Sequence, residues 1–450
     1  MLAVQTGAAT VDITPPVGLA MGGYGARQGV AAGIHDPLLV RTLVFADGHT
    51  QIVWAVCDLV AAWPDIVDAA RRHIERDFGI PPAHVLVAAT HTHSGPAGLS
   101  DRVDAAYVDV TARKIAGSVA VARDRLRPVS LKIGSADVPT IGQNRRHPDG
   151  PTDPEAMVLL AAPPGGGVVA TLVNHATHAT VLESDNLLYS ADFPGAAARA
   201  VERAVGGTAV YLQGACGDVN PVWMRHDFEE VQRVGGILGA AAVRTVHELR
   251  PVGEGQWAVN LSWTEEISEE PVPGTMLTDV RLAAVSAGVD LPRRVVDAPE
   301  DIEREIVELE AELGRAGDDI GRRRALRPRL NQLRMELFPH AGRGRGLPGG
   351  RTERAEVQAF RLGAECVLVS LPGEFFAGTG LRIRRELARD GVAHVLIAGY
   401  ANQYLGYVPP AVEFPAAGYE VGCARFEPDA ARMVEDAAIA AARQALARVL

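Results

Sequence analysis

Two histidines one residue apart, His91 and His93, follow an apolar run in VLVAATHTHSGP, and His175 and His178 follow another in TLVNHATHAT. Neutral imidazoles delivered by rigid supports are ordinary metal ligands and general bases. A single histidine at a strand end is commonly structural, but two pairs in the same setting point to a shared metal centre. Glu374 in CVLVSLPGEFF adds a carboxylate in apolar surroundings, where it needs a cation or hydrogen-bond donors to stay ionised. Polar groups also follow apolar runs at Asp192 in YSADFPG, at Asp218 and Asn220 in GDVNP, and at Tyr404 and Tyr407 in AGYANQYLGYVPP. GDVNP alone reads as a turn. Ser94, Gly95 and Pro96 after His93 remove the Asp-His of an HxHxDH metal signature, and HExxH is absent. An amidohydrolase barrel can open with HxH, but the chain lacks a regular eightfold strand and helix alternation.

The elements that must carry these groups are legible as short apolar runs at residues 42–45, 52–56, 85–89, 168–173, 209–212, 366–371 and 395–398. Helical patterns at 66–78, 196–205 and 231–249 lie between several of them. Such alternation predicts an α/β fold, a mixed central sheet flanked by helices, with chemistry in the loops at strand ends. Ile302, Ile306, Leu309 and Leu313, then Leu326, Leu330, Leu333 and Leu337, keep helical spacing on either side of a glycine-containing break. The pattern predicts a helical hairpin insertion over 300–340, with the tract from Gly342 to Arg351 as its return loop. An alanine-rich C-terminal helix is expected over 428–450.

The chain has 450 residues, 47% of them hydrophobic, and a formal charge of −11. That balance suits a globular enzyme, leaves its substrate open and argues against nucleic acid as a partner. Cys57, Cys216, Cys366 and Cys423 lie far apart without a CxxC pair, so buried free thiols are expected. The N-terminus has no basic region followed by an apolar stretch, and no run of about 18 apolar residues occurs. No integral membrane association and a cytoplasmic location are therefore expected, and a homo-oligomer is compatible with the sequence.

Taken together, ATVDITPP, GIHDPLLVRTLVF, VAATHTHSGP, NRR, LPGEFF, AGYANQYLGYVPP and GYE resemble the neutral/alkaline non-lysosomal ceramidases, in their N-terminal catalytic domain. The similarity spans roughly residues 3–425 and implies one catalytic domain over 1–450 without the C-terminal immunoglobulin-like domain. It implies Zn2+ held by His91, His175, Glu374 and Tyr407, with His93 beside the metal and substrate. It also implies Arg145 in QNRR and Tyr419 in AAGYE as active-site groups. Tyr407 and Tyr419 stand twelve residues apart, as the family's pair does.

The activity implied is zinc-dependent hydrolysis of an amide or related acyl bond in a small-molecule substrate, with Arg145 or Tyr419 stabilising the oxyanion. Where the family reads GDVSPN, this chain reads GDVNP. Asn220 cannot serve as a nucleophile, but its amide can donate to a carbonyl oxygen, and the change points to a substrate other than ceramide. Two alternatives stay open: the same metal site used for lactone opening or an elimination, and a non-catalytic metal or lipid binding protein.

Overall fold

The structure, a computed structural model, describes residues 4–97, 104–250, 275–278, 280–294, 299–315 and 351–448, together with 317, 321, 322, 326, 329, 330 and 333. Its class is the mixed α/β one expected, with most of the strands gathered into three larger sheets. In the first, the strands run in the order Val85–Ala89, Gln51–Cys57, Leu39–Ala46, Gln5–Asp12 and Arg127–Pro128. The second runs Thr208–Gln213, Ala170–His175, Glu155–Ala162, Ser130–Asp137 and Thr275–Met276. The third runs Leu282–Pro292, Thr352–Leu362, Cys366–Ser370 and His394–Ala398.

Each sheet is apolar on both faces. On the first, Val44, Val53 and Val87 meet Ile66, Val67, Ala70 and Ile74 of the helix Pro64–Phe78, and Ile115 and Val119 of Ala105–Asp124. Pro64 starts the former helix with its φ already helical, and Gly79 ends it in the left-handed conformation with its N–H on Glu75 O. The helices Asp192–Val205 and Phe228–Leu249 cover the second sheet, and Ala377–Arg389 and Ala430–Ala447 the third. Gly235 allows the second pair to close up, since a Cβ there would lie 2.6 Å from Ala196 Cβ. The remaining faces of all three sheets share one core containing Phe45, Trp54, Leu86, Leu159, Leu172, Leu212, Phe360, Leu368 and Leu396.

Each of these three sheets contains one parallel pair, Cys57 beside Ala89, His175 beside Gln213, and Ser370 beside Ala398, and the loops leaving these ends carry the polar motifs. Buried asparagines join the sheets. Asn174 Nδ2 donates to Leu212 O at 2.9 Å and to Ile397 O at 2.8 Å, while its Oδ1 accepts from Ile397 N at 3.0 Å. Asn402 donates its backbone N–H to Val87 O at 2.8 Å and accepts Val87 N–H on Oδ1 at 3.0 Å.

All four cysteines are free and buried. Within the 300–340 span, Pro299–Arg315 is helical, and Arg329 Nε donates to Glu305 Oε1 at 2.8 Å. The remainder of that span and 342–350 of the return loop are largely outside the described residues. No helix among the described residues is long and apolar enough to cross a membrane.

Candidate active site

His91 leaves the strand Val85–Ala89 with φ 65°, an uncommon value for a residue bearing a side chain. Its N–H bonds to Leu59 O at 3.0 Å, its Nδ1–H donates to Val60 O at 2.6 Å, and its ring stacks on Tyr400 at 3.9 Å. Tyr400 also has a positive φ, 53°. His178 Nδ1–H donates to Cys216 O at 2.7 Å. A carbonyl can only accept, so both rings keep a proton on Nδ1 and turn Nε2 toward the centre.

Both Nε2 atoms face one carboxylate oxygen. Glu374 Oε2 lies 3.5 Å from His91 Nε2 and 3.2 Å from His178 Nε2, while Oε1 accepts a short hydrogen bond from Tyr404. A two-residue parallel ladder sets Glu374 beside Tyr407. Glu374 Oε2, His178 Nε2 and His93 Nδ1 are buried and make no hydrogen bond. Unpaired buried polar atoms are costly, and two of these, Glu374 Oε2 and His178 Nε2, face each other at 3.2 Å, an arrangement suited to a cation.

His93 completes a group with His91 and His178 whose ligand atoms all lie within 4.8 Å of one another, a spacing that could hold a metal ion. Its Nε2 is 3.1 Å from His91 Nε2. Gly23, at φ 96°, makes room for it, because a Cβ there would come within 2.6 Å of the His93 side chain.

Burial lowers the pKa of His178 to about 4 and holds that of His93 well below the usual imidazole range, with neighbouring rings adding to the effect on His93. Burial alone would raise Glu374, but the facing His91 and His178 rings outweigh it and keep the carboxyl well below its ordinary value. Lowered pKa values at His93 and His178 beside a carboxyl held below its ordinary value favour the deprotonated ligands that a divalent cation needs.

His175 stands outside this group. Its Nδ1–H donates to Glu155 O at 3.2 Å and its Nε2 accepts from Thr177 Oγ1 at 3.1 Å, so both ring nitrogens are engaged. It is the last residue of the strand Ala170–His175, and the chain reaches the centre only at His178, three residues on. The geometry thus brings His178, rather than the His175 expected from the sequence, to Glu374. The available signal was the HATH doublet itself, whose second member is the one that converges.

Arg145 lies beside this centre with four of its five N–H donors engaged. Nε donates to Glu420 Oε1 at 2.7 Å, Nη2 to Gly217 O at 2.7 Å and Tyr407 Oη at 3.0 Å, and Nη1 to Asn220 Oδ1 at 3.1 Å. Glu420 and Tyr404 are participants that motif reading did not single out for these roles. Tyr419 packs edge-on against Tyr407 at 5.5 Å and is 47% exposed, which places it at the mouth. Tyr419 also lines, with Arg145, Arg146 and Glu420, an open depression of about 460 Å³.

A sequence profile described as Neutral/alkaline non-lysosomal ceramidase, N-terminal, matches residues 4–226. The neutral ceramidase of Pseudomonas aeruginosa is 25% identical over 95% of this chain and 70% of its own length. That of Mycobacterium tuberculosis is 27% identical over 95% and 74%. Neutral ceramidase B of Dictyostelium discoideum is 24% identical over 94% and 70%. The crystal structure of the Pseudomonas aeruginosa neutral ceramidase superposes with a TM-score of 0.75 at 22% identity, covering 99% of this chain and 75% of that one. A ceramidase complexed with C2 gives 0.72 at 20% identity, covering 100% and 77%. Through the strands and loops that build the centre, the chain is thus similar to the neutral/alkaline non-lysosomal ceramidases in sequence and shares their fold.

Proposed function

We propose that the protein is a metal-dependent hydrolase of an N-acyl amide. The observation that carries this reading is the convergence of His91 Nε2, His178 Nε2 and Glu374 Oε2, two of these three atoms being buried without a hydrogen bond. Two imidazoles and a carboxylate form a donor set suited to zinc, and Tyr407, beside Glu374, supplies a further oxygen. A zinc ion bound there would polarise the scissile carbonyl and activate a water.

The chain's own residues divide the remaining work. His93, kept neutral by burial, has an unpaired ring nitrogen that accepts the proton of the attacking water. Arg145, engaged with four acceptors, holds Tyr407 and Asn220 in place, and the oxyanion is left to Tyr419 and the Asn220 amide. Hydrolysis proceeds by direct attack of water, because Asn220 provides no nucleophile.

The relatives are named neutral ceramidases, which puts ceramide among the first amides to test. Asn220 supports a preference for a different N-acyl amide. Elemental analysis combined with a screen of ceramide and short-chain N-acyl amides tests the reading. Zinc-dependent release of free acid from at least one amide is expected, and full activity after exhaustive chelation would contradict it.

A further inference from the structure

Asn220 is fixed by backbone and by charge. Its backbone lies in the short strand Val219–Pro221, paired antiparallel with Gly142–Asn144 so that Asn220 stands opposite Gln143. Only rotation of its side chain is left free. The group facing that side chain is the Arg145 guanidinium, which has donors alone, so the atom at 3.1 Å from Nη1 must be the Asn220 oxygen. The two N–H groups of Nδ2 therefore point away from Arg145, and among the described residues they meet no acceptor.

Arg145 is held in turn. Glu420, 4% exposed, takes Arg145 Nε on Oε1 at 2.7 Å and Arg146 Nη1 on Oε2 at 2.5 Å. Arg146 is anchored by Glu413 Oε2 at 2.9 Å and Ala417 O at 2.7 Å. One carboxylate thus sets the plane of a guanidinium whose other edge orients Asn220 and Tyr407. Glu420 itself bonds to Arg145 and Arg146 and forms no hydrogen bond with His91, His93, His178 or Glu374.

We propose that Glu420 is a positioning residue. Through Arg145 it turns the Asn220 amide so that the site offers its substrate a donor at this point and no acceptor. A serine hydroxyl in the same place could do either, whereas the oriented amide selects a substrate with an acceptor oxygen there, such as a carbonyl. The chemical role rests on the hydrolase reading, but the orientation does not.

Asn220→Asp keeps an oxygen for Arg145 and replaces the donor by a second acceptor in the same shape. With a fluorogenic short-chain N-acyl aminocoumarin as probe, it should lower kcat/KM by about 10² to 10³. Glu420→Gln should cost about 10²-fold through misplacement. In an Asn220→Ala background the same Glu420→Gln change should cost clearly less than in the wild type, since the part that runs through Asn220 is already lost and only the part through Tyr407 remains, whereas a merely structural role would give additive losses.

A second readout does not require turnover. In protein labelled at asparagine side-chain nitrogen, the Asn220 amide resonance, identified by its loss in Asn220→Asp, should shift in Glu420→Gln while the other asparagine signals stay. If Glu420→Gln fails to fold, Arg145→Lys cuts the same link. Additive losses, wild-type rates in Asn220→Asp, or an unmoved resonance would overturn the proposal. If the wild type cleaves none of the amides, the hydrolase reading fails and the resonance alone decides the positioning claim.

Discussion

His91 and His93 are separated by one residue, yet only His91 has its Nδ1 anchored on a backbone carbonyl, Val60 O at 2.6 Å. His93 Nδ1 is buried and unpaired. Ligand imidazoles usually have the second nitrogen held, so under the proposed function His91 is assigned to the metal and His93 to the proton. His93→Ala should therefore retain the metal while turnover falls by roughly 10² to 10⁴, and His91→Ala should lose the metal. Parallel metal analysis and steady-state rates check this, and identical behaviour of the two variants would sink it. At this scale the residue types were legible from THTH, HATH and GEFF, because each interrupts an apolar run. Which member of HATH converges was not legible. That depends on the turn after His175, where Thr177 satisfies the His175 ring and three further residues carry the chain to His178.

The elements matter here as supports whose ends coincide. Three parallel strand pairs, one in each large sheet, release their loops toward one place, and Asn174 fixes the second sheet to the third. Replacing it removes the partners of Leu212 O, Ile397 O and Ile397 N–H together. At about 1–3 kcal/mol for each buried group left unpaired, Asn174→Leu should cost roughly 3 kcal/mol or more. The effect would be read as a lower denaturant midpoint at unchanged m value, and an unshifted midpoint would show that the bridge carries no stability. The buried strands Gln51–Cys57, Val85–Ala89 and Cys366–Ser370 were legible because branched apolar residues run uninterrupted between turn formers. Leu282–Pro292 was not, since LAAVSAGVDLP mixes small and polar residues along a strand whose second half is largely outside the core. The helix Ala105–Asp124 was also missed. Its buried face is made mostly of alanine, serine and threonine, and only the Asp104 cap, accepting from Tyr107 N, marks its start.

Over the whole molecule, the three sheets enclose one apolar core and the ionisable groups of the centre sit at its edge, so burial sets their protonation. His175 shows the consequence for stability away from the ligands, because burial lowers its pKa from 6.5 to about 4. Between these values the unfolded chain binds the proton that the folded one refuses. Stability therefore rises with pH through this window; the contribution is fully present above 6.5 and is lost as pH falls toward 4. It amounts to roughly 3 kcal/mol, so His175→Gln should flatten the pH dependence of the unfolding free energy by about that much. An equally steep dependence in the variant would contradict the assignment. The same residue decides the central claim, that His91, His178 and Glu374 hold the metal and His175 does not. The direct measurement is the metal content of purified wild type, His175→Ala and His178→Ala. About one zinc per chain is expected in the first two and little in the third. A His178→Ala protein that keeps its metal beside a His175→Ala protein that loses it would contradict the account.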